Sequence, residues 1–174
     1  QVIGECFFSN NKGVFLRVLI TMIQTAVIMA AGLGTRFGAQ TELKPKGFIP
    51  YKGKAMVVRA IETMLECGIE KIIIGTGYHR EWYERLAEQY PQVETVFSPR
   101  YAETNSMYTL YNSREAIGDD DFLLLESDII FSRNAITHLL EDTHKDIMLI
   151  TPVPHIRAYY PFLTQTNSIG NVHG

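Results

Sequence analysis

The sequence predicts an α/β domain of three layers, with helices on both faces of a mainly parallel sheet. Three observations predict it. Short apolar runs alternate with stretches of helical period from residue 24 to 151. Most of those runs are apolar throughout rather than at every second residue, as strands covered on both faces require. The first run feeds directly into a glycine-rich turn, Gly32 to Gly38, at the strand end where such sheets take ligands.

The elements follow in order. Ala26 to Ala31 reads as the opening buried strand. Residues 47–54, Gly-Phe-Ile-Pro-Tyr-Lys-Gly-Lys, read as loop with a short extended piece. A helix is expected from Ala55 to Cys67, because Val57, Val58, Ile61, Met64 and Leu65 share one face, and Gly68 stops it. Ile72 to Ile74 is a β-branched strand, followed by a turn at Gly75-Thr76-Gly77-Tyr78. A helix over Arg80 to Tyr90 is expected to turn Trp82, Leu86 and Tyr90 to one side, with His79 solvated or capping at its start. Val93 to Phe97 is the third strand. A helix resumes at Ser106 with Met107, Leu110, Tyr111, Ala116 and Ile117 as its apolar positions. Asp119 to Asp121 is a solvated turn. Phe122 to Leu125 is the fourth strand, Ser132 caps a helix over Arg133 to Glu141, and Ile147 to Ile150 is the fifth strand.

A length of 174 residues suits one domain, and 46% hydrophobic content is enough for a core. The net charge of −3 argues against a nucleic-acid partner. Cys6 and Cys67 show neither metal spacing nor a disulfide framework, which favours a cytoplasmic setting. The apolar stretch from Val18 is too short and too interrupted for a membrane span, and cleavage of a leader near Ala31 would destroy the glycine turn. Residues 1–21 are expected to be an extension outside the fold, with Met22 a candidate natural start. The domain proper is placed at 22–151, and 152–174 is an irregular tail with neither period.

A strand, a glycine turn and two cations form a device for holding phosphates. Successive backbone N–H groups make a concavity for an anion, and glycine lets the backbone approach it. Arg36, inside the turn, can form a forked bond to phosphate oxygens, and Lys46, ten residues on, offers a mobile point charge. A Walker loop is absent. The dinucleotide fingerprint fails because Phe37 stands where its third glycine belongs and no acidic residue about 20 positions on is placed to take a ribose. A carboxylate at a strand end, Asp128, is a hard oxygen donor suited to Mg²⁺. Each of these residues also has a plainer reading: Arg36 paired with Glu42, Lys46 in a surface loop, Asp128 capping a turn.

The run Ala-Ala-Gly-Leu-Gly-Thr-Arg-Phe, residues 30–37, followed by Pro45-Lys46, resembles the signature of the nucleotidyltransferases that make activated sugars and alcohols from nucleoside triphosphates. The resemblance covers Met22 to Thr151. It implies the Rossmann-like nucleotidyltransferase (nucleotide-diphospho-sugar transferase) fold, here expected to lack its C-terminal part. In that family further elements carry acceptor-binding residues and a second metal-binding acid. It implies that Ala30, Ala31, Gly32, Leu33, Gly34 and Thr35 cradle the nucleotide. Arg36 would hold the β- and γ-phosphates, Lys46 would reach the α-phosphate and acceptor, and Asp128 would ligate Mg²⁺. Glu126 shares Asp128's side by strand alternation.

Residues 101–106, Tyr-Ala-Glu-Thr-Asn-Ser, look like the corresponding loop of cytidylyltransferases acting on phosphocholine or 2-aminoethylphosphonate. There Asn105 and Ser106 would lie near the nucleotide, and Tyr78 near the base. Asn105 can instead cap the next helix, and the two roles are compatible. The expected activity is Mg²⁺-dependent transfer of a cytidylyl group from CTP to a small amino-alcohol phosphate or phosphonate. Sugar-1-phosphate or molybdenum-cofactor nucleotidyl transfer is the alternative. A truncated domain that binds nucleotide without turnover is the non-enzyme reading.

Overall fold

The structure is a computed structural model that describes residues 5–9, 15–19, 23–34, 44–142, 144 and 146–150. The chain divides into two units, Gln1–His144 and Lys145–Gly174. In the first unit, strands β1 (Glu5–Ser9) and β2 (Phe15–Leu19) pair antiparallel into a two-stranded sheet of their own.

The central sheet has four parallel strands, β3 (Thr25–Ala30), β6 (Lys71–Thr76), β7 (Val93–Phe97) and β8 (Phe122–Glu126), in the order β7-β6-β3-β8. Strand β3 is buried at every residue because it has a neighbour on each side and helices on each face. Its side chains alternate between two cores. Ala26, Ile28 and Ala30 join Val57, Ile61 and Met64 of α1 (Met56–Glu66), Tyr83 and Leu86 of α2 (Arg80–Ala87) and Ile136 of α4 (Arg133–Glu141). Val27 and Met29 join Ile117, Leu110 and Ala116 of α3 (Ser106–Ile117) on the opposite face. Three layers result, as the alternation of elements implies. Between β3 and α1, a 3₁₀ turn over Lys46–Phe48 leads into the small antiparallel pair β4 (Pro50–Tyr51) and β5 (Lys54–Ala55).

From β3 the chain steps outward to β6 and β7, then returns to place β8 on the other flank of β3. The strand order therefore reverses between β3 and β8. At such a switch point the connections diverge to opposite faces and leave a crevice beyond the carboxyl ends of the strands.

Several expectations change. Strand β6 runs through Gly75 and Thr76 rather than turning there, because both residues keep partners on β3 and β7. Helix α2 ends at Ala87 and buries Tyr83, 1% exposed, in place of Trp82. Helix α3 begins at Ser106 as expected but is rotated. Met107 and Tyr111 are exposed at 66% and 58%, while Thr109, Ser113 and Ile117 are buried. The physical reason is the surface beneath α3: a Cβ on Gly75 would lie 2.5 Å from the Thr109 Cγ2. Only a close-fitting, short side chain sits against that bare stretch of β6. Residues 147–150, in the second unit, form no strand and are all exposed. An apolar run becomes a strand only where a neighbour satisfies its backbone. No helix among the described residues is long and apolar enough to cross a membrane.

Candidate functional site

At the switch point a cleft of about 480 Å³ opens over the carboxyl ends of the parallel strands. Ala31 and Gly32, just past the end of β3, form one wall. Glu126, the last residue of β8, and Asp128, two residues on, form another. The 3₁₀ turn contributes Lys46, and the segment before α3 contributes Tyr101, Thr104, Asn105 and Ser106.

Lys46 Nζ lies 3.5 Å from Asp128 Oδ2, with the two side chains 20% and 25% exposed. The two residues are 82 positions apart in sequence, and the fold brings them together inside the cleft. Pro45 is extended, and its carbonyl accepts from the Phe48 N–H at 2.9 Å, closing the turn that presents Lys46. Ser127 fixes the other side, since its N–H donates to the Met29 carbonyl at 3.1 Å and holds the end of β8 against β3. Glu126 and Asp128 both face the cleft, as alternation predicts. Glu126 is exposed as a residue, yet partial desolvation pushes its carboxyl above the usual range; the Asp128 charge adds to the rise and Lys46 opposes it.

Helix α3 is capped by Asn105, whose Oδ1 accepts from the Met107 N–H at 3.1 Å and the Tyr108 N–H at 3.4 Å. The capping oxygen is therefore identified by what it binds, and the amide nitrogen is left as the polar atom available to a ligand. The segment before it is held by Ser98, fully buried, whose Oγ accepts from Asn112 Nδ2 at 3.0 Å. Tyr101 reaches the cleft across Gly77: a Cβ there would lie 2.6 Å from the Tyr101 Cβ and 2.5 Å from the Ala31 carbonyl. Glycine is the residue that fits.

Of the residues singled out by sequence, the fold gathers Ala31, Gly32, Lys46, Asn105, Ser106 and Asp128 around one cleft. Ala30 is buried at the end of β3, Leu33 is 38% exposed, and Gly34 turns the chain with φ 72°; none of the three is a cleft wall. Tyr78 stands outside too, its ring 3.9 Å from that of His79 and its N–H donating to the Ala31 carbonyl at 3.4 Å. Thr35 and Arg36 lie outside the described residues. Sequence reasoning gave no role to Tyr101, Thr109 or Met29, which also line the cleft. The Gly77–Tyr101 pairing had no signal in spacing; it exists only once β6 and β7 are adjacent. His79 takes the left-handed conformation, φ 57°, at the start of α2 and contacts Glu81 at 3.2 Å, a local role.

Comparison with known proteins places the chain among nucleotidyltransferases. A 2-aminoethylphosphonate cytidylyltransferase from Lancefieldella rimae is 34% identical over 107 residues, covering 62% of this chain and 44% of the relative. A UTP–glucose-1-phosphate uridylyltransferase from Haloferax volcanii is 28% identical over 151 residues, covering 84% of this chain and 62% of the relative. The solved structure of the CTP:phosphocholine cytidylyltransferase from Streptococcus pneumoniae superposes with a TM-score of 0.55 at 37% identity, covering 61% of this chain and 46% of that one. The chain thus spans about half the length of the relatives it matches. The profile of the MobA-like NTP transferase domain matches residues 26–171, and the chain belongs to that family.

Proposed function

We propose that this chain is the nucleotide-binding part of a cytidylyltransferase, which moves CMP from CTP to a small amino-alcohol phosphate or phosphonate and releases pyrophosphate. The observation that carries the reading is the Lys46–Asp128 pair, 3.5 Å apart, facing the glycine turn at the switch point of the sheet. A cation and a carboxylate held together in a polar cleft are the groups needed to manage polyanions in line.

In this reaction an acceptor oxygen attacks the α-phosphorus, and the bond from that phosphorus to the bridging oxygen of pyrophosphate breaks. The chain supplies position and charge, with no covalent nucleophile. The backbone at Ala31 and Gly32 borders the triphosphate. Lys46 moves from Asp128 to the α-phosphate and acceptor, and its ammonium offsets charge gathering on the oxygens. Arg36 takes the β- and γ-phosphates, and the Tyr78 N–H, donating to the Ala31 carbonyl at 3.4 Å, steadies the wall that borders the triphosphate.

Magnesium fits the donor set. Among the described residues no three His, Cys, Asp or Glu side chains converge on one point. The cleft instead offers Asp128 with Glu126 beside it. Mg²⁺ keeps several waters and takes one or two carboxylates together with substrate phosphates, which matches this supply. Asp128 would hold it, and the bound ion would neutralise phosphate charge.

Asn105 favours cytosine. With Oδ1 occupied by the cap, its amide can only donate. Aimed at N3, that donor would pair with cytosine, whose N3 accepts, and oppose uracil, whose N3 carries a hydrogen; at O2, which accepts in both bases, it would not discriminate. Both cytidylyl-transferring relatives act on phosphocholine or 2-aminoethylphosphonate by name, which supports an acceptor of that class. The uridylyltransferase relative, which aligns with 84% of this chain, favours a sugar-1-phosphate as the second reading.

The test is pyrophosphate release with Mg²⁺, each nucleoside triphosphate, and phosphocholine, 2-aminoethylphosphonate or glucose-1-phosphate. Release that needs CTP and an amino-alcohol substrate supports the proposal. UTP-dependent release with glucose-1-phosphate transfers it to the second reading. Nucleotide binding without release under every pairing would mean a binding domain.

A further inference from the structure

The cleft has two unlike ends. Among the described residues that line it, the charged ones, Lys46, Glu126 and Asp128, gather on the flank of β8. The other end is built beyond β6 and β7 and is lined by neutral groups, Tyr101, Thr104, Asn105 and Ser106. Strands β8 and β6 stand on either side of β3, so the two ends are two strand spacings apart, about 10 Å. A nucleotide is divided in the same way. It carries its charge at one end and a flat ring with a polar edge at the other, with the ribose between.

Tyr101 is the ring at the neutral end, and its surroundings hold it there. Its N–H donates to the Ser98 carbonyl at 3.2 Å, and the Ser98 N–H donates to the Thr76 carbonyl at 2.8 Å. The turn that carries Tyr101 therefore hangs from the ends of both β7 and β6. Its ring lies 6.3 Å from that of Phe97, at 60°. Its Cβ and Cγ fill the space a side chain at Gly77 would need, each 2.6 Å from where a Cβ would stand. Tyr101 is half-buried, so it is not a member of either core.

An aromatic face suits either a base or an ammonium group. The ammonium of an acceptor would also want a carboxylate, and both carboxylates of the cleft lie at the far end. Glu103, close by in sequence, lies 3.3 Å from Arg100 and is no cleft wall. Asn105, in the same wall as Tyr101, offers an amide to a base edge.

We propose that Tyr101 is the platform on which the nucleobase lies. This rests on the reading of the cleft as a nucleoside triphosphate site, and it divides the labour there. Stacking on an aromatic ring tolerates any base, so Tyr101 supplies affinity and the Asn105 amide supplies choice.

Isothermal titration calorimetry on the full chain with Mg²⁺ tests it with three probes. They are CTP, UTP and inorganic tripolyphosphate, which has the charge without the base. Tyr101→Ala should weaken CTP and UTP by about tenfold each, the value of one stacked base, and leave tripolyphosphate within about twofold. Tyr101→Phe keeps the ring face and should hold CTP within about twofold of the wild type. Should the alanine variant fail to fold, Tyr101→Leu, bulky without a flat face, takes its place with the same expected losses. In cytidylyl transfer, the KM for phosphocholine should stay within about twofold in Tyr101→Ala. Unchanged CTP affinity, equal losses of CTP and tripolyphosphate, or a phenylalanine variant as weak as the alanine one would each overturn the proposal. So would a loss confined to phosphocholine, which would give the ring to the acceptor. A wild-type chain that binds neither CTP nor UTP removes the nucleotide reading and this inference together; nucleotide binding indifferent to Tyr101 removes the inference alone.

Discussion

Lys46 is the residue on which the proposed chemistry turns. Its ammonium is poised 3.5 Å from one carboxylate and has a charged partner to leave when phosphates arrive. Lys46→Ala should lower kcat of nucleotidyl transfer by about 10²- to 10³-fold, the loss typical of one transition-state donor, with the fold intact by circular dichroism. An unchanged kcat would remove Lys46 from the mechanism. Tyr83 makes a separate prediction about pH. Burial raises its pKa from 10.0 to about 12, the Asp128 charge adds to the rise, and the bonds from Ser127 and Gly47 oppose it. In the unfolded chain the phenol ionises near 10, in the folded chain near 12, so unfolding releases a proton between them. Stability from this group is intact below pH 10 and falls as pH rises to about 12. The total is about 2.7 kcal/mol at most, from two pKa units. Urea unfolding of Tyr83→Phe should show a shallower alkaline decline than the wild type; parallel curves would refute the assignment.

Helix α3 shows how an element can carry function in its first turn. Asn105 both starts the helix and faces the cleft, so in the proposed reaction one side chain would set the geometry and filter the ligand. Asn105→Asp separates the two tasks, because a carboxylate still caps but cannot donate. The ratio of kcat/KM for CTP over UTP should fall about tenfold, the value of one hydrogen bond, with the melting temperature nearly unchanged. A preserved ratio would place base choice elsewhere. The same helix marks the limit of reading sequence. Val93–Phe97 and Arg133–Glu141 were legible to the residue, since Ser132 announces the second and Pro91 and Ser98 bracket the first. The rotation of α3 was not. Apolar periodicity assumes an apolar seam, and here the seam is Thr109 and Ser113 against Gly75. Residues 147–150 misled for the opposite reason, having the composition of a strand without a partner to pair with among the described residues.

At the scale of the whole molecule, the order β7-β6-β3-β8 does the assembling. It sets the ends of β3 and β8 side by side, so a glycine turn near residue 32 and an acid at 128 meet at one opening. The glycine turn, Lys46 and Asp128 could be read from motif and strand position. Their companions Tyr101, Tyr83 and Gly47 could not, because each is defined by a contact across elements distant in sequence. The most direct measurement is a crystal structure of the chain with CTP and Mg²⁺. The account predicts the triphosphate against Ala31 and Gly32, Lys46 turned to the α-phosphate, Mg²⁺ on Asp128, and the base beside Asn105. A triphosphate bound elsewhere, with Lys46 and Asp128 still paired and touching no part of it, would contradict the account.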